Sequence, residues 1–416
     1  MLFGTSGIRR RYDLPLAELA LSLGSALAAT AAEVAVGMDT RTSGPVLADA
    51  AIAGLLSAGA TVTLGGVVPT PTLAFAARLH DAGLMVTASH NPEEYNGLKF
   101  FNPDGSSFAA PQQEDLERRM GGVREKNWEC QGDLREDDLV PGHRDAILGR
   151  RELGRDLTAV IDCGNGAGSV ITPDLLTRMG VATLPVNCHT GGHFARPSEP
   201  AEESLGHVRE LVKALPADCG VVHDGDADRM MGLDGKGRFI DGDRLLLLFA
   251  RYLDAKRVVT TADASMIIDD IAEVQRTPVG DTHVSARLRE WGDFGGEPSG
   301  AWIFPDHSLC PDGVYAAALF CEMASEWDLA RELDGIPRLP LLRESLPCGD
   351  PEGVLRRLGA ATPTDGIRRE EEGGWFLIRA SGTEPKVRIT AEGKTLPAAK
   401  RLAGKARAML ERAKTV

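Results

Sequence analysis

Short apolar runs alternate along the chain with longer stretches in which apolar residues recur every three or four positions. Val34-Ala35-Val36-Gly37 reads as a buried strand, and Pro45 to Ala58 as a helix with Pro45 in its first turn. Thr61-Val62-Thr63-Leu64 predicts a second strand, Pro71 to His80 a helix, and Gly83 to Val86 a third strand. The rhythm restarts at Thr158-Ala159-Val160-Ile161-Asp162, followed by a Gly-rich turn and a helix over Pro173 to Met179. It recurs at Arg257-Val258-Val259-Thr260-Thr261, with a helix expected after Asp263. Buried strands alternating with helices imply parallel sheets of the α/β class. Near the start, Arg9-Arg10-Arg11 and the Ala/Leu-rich stretch behind it resemble a signal peptide, but Asp13 and Glu18 interrupt the apolar part. Leu16, Leu19, Ala20, Leu23 and Leu27 instead recur at the spacing of an amphipathic first helix.

Three such units predict three related α/β domains, similar in rhythm rather than in repeated residues. Polar breaks near Gly132–His143 and Phe239–Arg244 read as joints, and Ile336–Pro347, rich in Pro and charge, as a linker. From about Cys348 the pattern changes to strands near Trp375–Arg379 and Lys386–Ala391 and a closing helix from Pro397 to Lys414, a smaller α+β domain. The expected divisions are 1–143, 144–240, 241–342 and 343–416.

Composition narrows the function classes. A chain of 416 residues is too long for one core, and 43% hydrophobic with 25% charged residues is ordinary for a globular protein. The formal charge of −14 argues against nucleic-acid or membrane-surface partners, yet leaves room for a phosphorylated small molecule in a locally basic cleft. Cysteines at 130, 163, 188, 219, 310, 321 and 348, odd in number and without a CxxC pair, fit reduced thiols in the cytoplasm. No run of 18 uncharged apolar residues is present, so no transmembrane span is expected.

Five segments carry chemistry. In Val221-Val222-His223-Asp224-Gly225-Asp226-Ala227-Asp228-Arg229, three alternating aspartates follow a strand, so a loop can turn three hard oxygen ligands toward one Mg²⁺ or Ca²⁺. Alone it reads equally as a solvated acidic turn. An EF-hand fails, because counting from Asp224 the sixth position is Arg229 and the twelfth Gly235. Thr87-Ala88-Ser89-His90-Asn91-Pro92 puts a serine in a tight turn at a strand's end, with His90 beside it and Lys99 downstream. A turn or capping serine is the simpler reading of that segment alone, and no G-x-S-x-G elbow supports a hydrolase triad. Arg379-Ala380-Ser381-Gly382-Thr383-Glu384-Pro385-Lys386-Val387-Arg388 offers free backbone N–H groups and two arginines to an anion, or is a plain hairpin turn. Gly295-Gly296-Glu297-Pro298-Ser299-Gly300 presents a carboxylate and a hydroxyl suited to sugar hydroxyls, or a capping glutamate. Phe3-Gly4-Thr5-Ser6-Gly7-Ile8-Arg9 is a Gly-rich opening that a ragged terminus also explains.

Together, in this order and spanning Gly4 to Arg388, the five segments resemble the α-D-phosphohexomutases. The resemblance implies domains arranged round a central cleft. It implies that Ser89 is a phosphoserine and that Asp224, Asp226 and Asp228 hold one Mg²⁺ together with a phosphate oxygen on Ser89. Ser89 gives its phosphate to one sugar hydroxyl, the bisphosphate turns round, and its other phosphate returns to Ser89; a hexose 1,6-bisphosphate primes the enzyme. Arg379, Ser381, Gly382, Thr383 and Arg388 would grip the phosphate that is not reacting, and Arg229, Glu297 and Ser299 the sugar. Arg9, His90 and Lys99 match positions near the transferred group, with Lys99 or His90 as proton partner. Three departures stand out: Arg10 where many relatives have glycine, Met38 where arginine is frequent, and Ala301 where many have histidine, for which His307 is the expected substitute.

Gly296 to Trp302 and Asp263 to Asp269 resemble most the archaeal phosphoglucosamine mutases, which interconvert glucosamine 6-phosphate and glucosamine 1-phosphate on the way to UDP-N-acetylglucosamine. Phosphomannomutase/phosphoglucomutase activity is the near alternative, and phosphopentomutase activity occurs in similar proteins. From other classes, a haloacid-dehalogenase-type phosphatase would use Asp224 as nucleophile, and a non-catalytic sugar-phosphate sensor would show no turnover. A small sugar phosphate is the expected partner, for a monomer or homodimer.

Overall fold

The computed structural model describes residues 2–4, 7–122, 126–360, 366–380 and 385–414. Four sheets follow one another along the chain. In the first, Ala82–Val86, Glu33–Met38, Thr61–Val67 and Leu134–Glu136 run parallel, while Tyr95–Phe101 and Ile8–Arg11 close one side antiparallel. The second has parallel Cys219–His223, Leu157–Asp162 and Val181–Val186, with Met230–Asp234 and Phe239–Ile240 antiparallel at its edge. The third repeats the plan with Glu273–Thr277, Arg257–Thr261 and Phe294–Gly296 parallel and Trp302–Ile303 antiparallel. The fourth is wholly antiparallel, in the order Leu341–Pro347, Lys386–Gly393, Gly374–Ala380, Ile367–Glu371, and the helix Leu396–Lys414 packs on it. The fold is therefore α/β in three units with an α+β fourth.

One topological fact positions the chemistry. In each of the first three sheets a parallel strand turns back into an antiparallel neighbour, and the loop at that reversal carries one of the segments singled out above. Residues 87–94 join Ala82–Val86 to Tyr95–Phe101, 224–229 join Cys219–His223 to Met230–Asp234, and 297–301 join Phe294–Gly296 to Trp302–Ile303. In the fourth sheet Gly374–Ala380 pairs antiparallel with the next strand, Lys386–Gly393.

Local chemistry explains the elements. The helix Leu14–Leu27 starts where the Asp13 side chain accepts the Leu16 N–H at 3.0 Å, and it buries Leu16, Ala20, Leu23 and Leu27. It crosses the helix Gly44–Ser57 closely: a Cβ on Gly24 would lie 2.1 Å from the Ala51 carbonyl oxygen, and one on Gly54 2.0 Å from that of Leu21. The helix Gly313–Glu326, buried along nearly its whole length, follows the third sheet in sequence but packs on strands of the second. One apolar cluster accordingly runs from Ile147 to Ile336, whereas the fourth unit has its own core round Phe376, Ile389 and Leu402.

Two expectations need correction. The segment after Asp263 is a 3₁₀ turn, Met266–Asp270, capped by the Ser265 hydroxyl, with only Ile271 and Ala272 between it and the strand Glu273–Thr277. Ile336–Pro347 is not all linker: Leu341–Pro347 is a full strand, with Leu342 and Leu346 against the core and Arg343 and Ser345 between them.

Candidate active site

Ser89 sits just beyond the strand Ala82–Val86 with φ of 50°, a left-handed backbone unusual for a non-glycine residue. That conformation turns its side chain toward the second sheet. The buried hydroxyl donates to Asp224 Oδ2 at 2.9 Å and lies 3.3 Å from His90 Nδ1. The aspartate loop approaches so closely that a Cβ on Gly225 would stand 2.7 Å from the Ser89 carbonyl oxygen, which requires glycine there. Ala227, between the second and third aspartates, also has positive φ, at 54°.

Asp224, Asp226 and Asp228 place carboxylate oxygens within 4.8 Å of one another, all three residues buried. Lys99, buried beneath them, donates to Asp226 Oδ2 at 2.7 Å and Asp228 Oδ2 at 2.6 Å, and the Thr70 hydroxyl adds a 2.5 Å bond to Asp226. The second oxygens, Asp226 Oδ1 and Asp228 Oδ1, are buried with no hydrogen-bond partner. Burial and the neighbouring carboxylates Asp228 and Asp226 push the Asp224 carboxyl well up. Burial would also lower the Lys99 ammonium, but Asp226 and Asp228 outweigh it and hold the group charged; in return Lys99 keeps Asp226 ionised against its own burial. Three clustered carboxylates, two of their oxygens orphaned, offer the donor set of a hard divalent cation.

A cavity of about 310 Å³ opens over this floor, and all four units line it. Arg9, Ser89 and His90 come from the first, Glu199, Asp228 and Arg229 from the second, Asp263, Glu297, Ser299 and Ala301 from the third, and Arg379 from the fourth. His90 is held neutral: burial, then Arg229 and Arg9, push its pKa down to about 2. The Glu297 carboxyl accepts the Gly280 N–H at 2.8 Å, and burial, with Asp281 nearby, pushes its pKa up to about 8. Ser299 Oγ is buried and unpartnered at the cavity wall. Arg388 is the cross-strand partner of Arg379, while Ser381, Gly382 and Thr383 lie outside the described residues.

His307 is not where the resemblance required. It is buried away from the cavity, its ring stacked between Phe75, His143 and Tyr315 and its Nε2 3.4 Å from Asp312 Oδ2. Residues 304–308 form a tight turn that leads back toward the helix Gly313–Glu326, so the ring points into the junction between units. No histidine among the described residues replaces Ala301 at the cavity wall. Sequence reasoning missed Thr70 and the pair Asp39 and Arg41 beneath the serine loop. A buried-strand segment that ends in charged residues, Val36-Gly37-Met38-Asp39-Thr40-Arg41, was the available signal.

Comparison with known proteins agrees with this geometry. The chain matches the phosphoglucomutase/phosphomannomutase alpha/beta/alpha domain I over residues 1–127, domain II over 143–237, domain III over 241–336 and the C-terminal domain over 346–409. It is 44% identical to a protein of Methanocella arvoryzae named probable phosphoglucosamine mutase, covering 99% of this chain and 98% of the other. A phosphoglucosamine mutase of Methanococcus vannielii is 41% identical, covering 94% and 95%. A crystal structure of a phosphoglucomutase/phosphomannomutase family protein from Burkholderia thailandensis superposes with a TM-score of 0.87 at 28% identity, covering 99% and 97%. The chain belongs to the phosphoglucomutase/phosphomannomutase family of α-D-phosphohexomutases and is an isomerase.

Proposed function

We propose that the chain is a phosphoglucosamine mutase that interconverts glucosamine 6-phosphate and glucosamine 1-phosphate through a phosphate on Ser89. The observation that carries this reading is the Ser89 hydroxyl, 2.9 Å from Asp224 on the floor of a cavity lined by every unit of the chain. The choice of glucosamine is supported by the names of relatives 41 to 44% identical over nearly the full length.

In the forward direction a hydroxyl of the sugar attacks the phosphorus of phospho-Ser89. The bond to Ser89 Oγ breaks, a new P–O bond to the sugar forms, and the attacking hydroxyl's proton ends on the serine oxygen. The bisphosphorylated sugar reorients, Ser89 attacks its other phosphate, and the second hydroxyl is released. Lys99 enters as a cation paired with two aspartates, so its part is electrostatic. His90, neutral and 3.3 Å from the serine oxygen, would orient the hydroxyl as a hydrogen-bond partner, because burial and the nearby arginines make its ring a weak base. Asp224, Asp226 and Asp228 would hold Mg²⁺, which supplies charge neutralisation for the transferring phosphoryl group. Arg379 and Arg388 would hold the resting phosphate, and Glu297, Ser299 and Arg229 the sugar hydroxyls common to both orientations. A hexose 1,6-bisphosphate would prime Ser89, and seven free cysteines support a reducing, cytoplasmic setting.

The test is intact-mass and peptide analysis for one phosphate on the segment holding Ser89, with turnover on glucosamine, glucose, mannose and ribose phosphates. Phosphate on Ser89 with preference for glucosamine supports the proposal. No phosphate even after incubation with a hexose 1,6-bisphosphate overturns the mechanism, and preference for another sugar overturns the substrate.

A further inference from the structure

We propose that Asp39 and Arg41 are a positioning pair that fixes the backbone of Ser89 from both sides and thereby aims its hydroxyl. The inference rests on the reading of Ser89 as phosphoryl carrier.

Asp39 and Arg41 lie just past the strand Glu33–Met38, which pairs with Ala82–Val86, the strand that launches the serine loop. Arg41 is 1% exposed, and a guanidinium carries five N–H donors. All five are used. Nε donates to Asp39 Oδ2 at 3.0 Å, Nη1 to the carbonyls of Pro92 at 2.5 Å and Tyr95 at 2.8 Å, and Nη2 to those of Ser89 and Asn91, each at 2.7 Å. The loop is wound round one planar cation.

Asp39 closes the circuit. Its Oδ1 accepts the backbone N–H of Arg41 at 3.0 Å, and its Oδ2 also accepts the Thr87 hydroxyl at 2.6 Å. The Thr87 oxygen accepts the Ser89 N–H at 2.8 Å. The N–H of Ser89 is thus tied to Asp39 through Thr87, and its carbonyl is tied to the same carboxylate through Arg41.

Ser89 needs such restraint. Its φ of 50° is a strained backbone for a non-glycine residue, and free peptide groups would let the backbone relax and swing the hydroxyl off Asp224. From the second unit, the Ser198 hydroxyl reaches the Ser89 carbonyl at 3.1 Å, and the Phe194 ring covers the guanidinium 5.1 Å from its carbon. Lysine could not replace Arg41, because three donors on one point cannot serve four carbonyls spread round a plane.

The test compares full-length Arg41→Lys and Thr87→Val with wild type. The readouts are kcat, KM, the rate at which Ser89 takes phosphate from glucose 1,6-bisphosphate, and the melting profile. The expected result is a fall of roughly a hundred-fold in both kcat and phosphorylation rate, the scale of a misplaced reacting group, with KM little changed because no cavity wall is touched. Guanidinium ion added to Arg41→Ala is expected to restore part of the phosphorylation rate, which a general loss of folding would not allow. If Arg41→Lys does not fold, Thr87→Val, which removes one hydroxyl, carries the test. A folded variant of either kind phosphorylated at the wild-type rate overturns the pair. Wild type that never takes phosphate overturns the reading of Ser89 instead.

Discussion

Arg379 and Arg388 stand directly opposite each other on antiparallel strands, Gly374–Ala380 and Lys386–Gly393. Like charges facing across a sheet destabilise it, so this pairing makes sense when an anion lies between them. Replacing either arginine with glutamine is therefore expected to raise KM for sugar phosphates by about 10-fold or more, the scale of one charged hydrogen bond, while leaving the melting temperature of the ligand-free protein unchanged or higher. Steady-state kinetics and thermal melts of both variants check this; a lower melting temperature with normal KM would make the arginines structural.

Lys99 is paired directly with two of the three buried carboxylates, Asp226 and Asp228. Lys99→Met is expected to destabilise the metal-free protein by about 3–5 kcal/mol, the cost of stranding a buried partner. Mg²⁺ should restore more stability to the variant than to wild type, since it finds more uncompensated charge. Melts with and without Mg²⁺ decide the matter, and equal metal stabilisation of the two proteins would remove Lys99 from the site.

Glu297 ties pH to both stability and activity. Its pKa is raised by burial to about 8, above the ordinary glutamate value of 4.5, so the folded state binds the proton more tightly than the unfolded one. The stability this contributes is whole below about pH 4.5 and is lost as pH rises through about 8. Glu297→Gln is accordingly expected to melt above wild type at pH 9 and near it at pH 5, and to raise KM at neutral pH. Melting curves at the two pH values test the sign, and a variant that melts below wild type at pH 9 refutes it.

The third and fourth units meet at Glu392. Its buried carboxylate accepts the Ser265 hydroxyl at 2.6 Å, the Met266 N–H at 2.8 Å and the Trp375 indole N–H at 2.7 Å. Glu392→Gln turns one acceptor into a donor against these donors, a loss of about 1–3 kcal/mol. Faster hydrogen exchange at Ser265 and Met266, with the core of the fourth unit still protected, is the expected signature.

Much of the site was legible because its parts are contiguous. Ser89, the three aspartates and Glu297 lie in short segments whose composition reports a reversal of the chain, and the strands feeding them are unmistakably apolar. What failed were features set by distant contacts. His307 carries the right chemistry in the right neighbourhood, but its ring is claimed by Phe75 and His143, from other units of the chain. Leu341–Pro347 hides its period-two pattern behind flanking prolines and the adjacent charges Arg343 and Glu344. Arg41 is connected to carbonyls about 50 residues ahead, a relation that no local spacing encodes.

The helix Gly313–Glu326 bears on how such a chain is inherited. Because it roofs the sheet of the preceding unit, a gene cut after Ile240 would leave that sheet uncovered and the helix without its floor. Recombination at this border would thus yield two sticky fragments, whereas the fourth unit, with its own core, is a piece that relatives could trade intact.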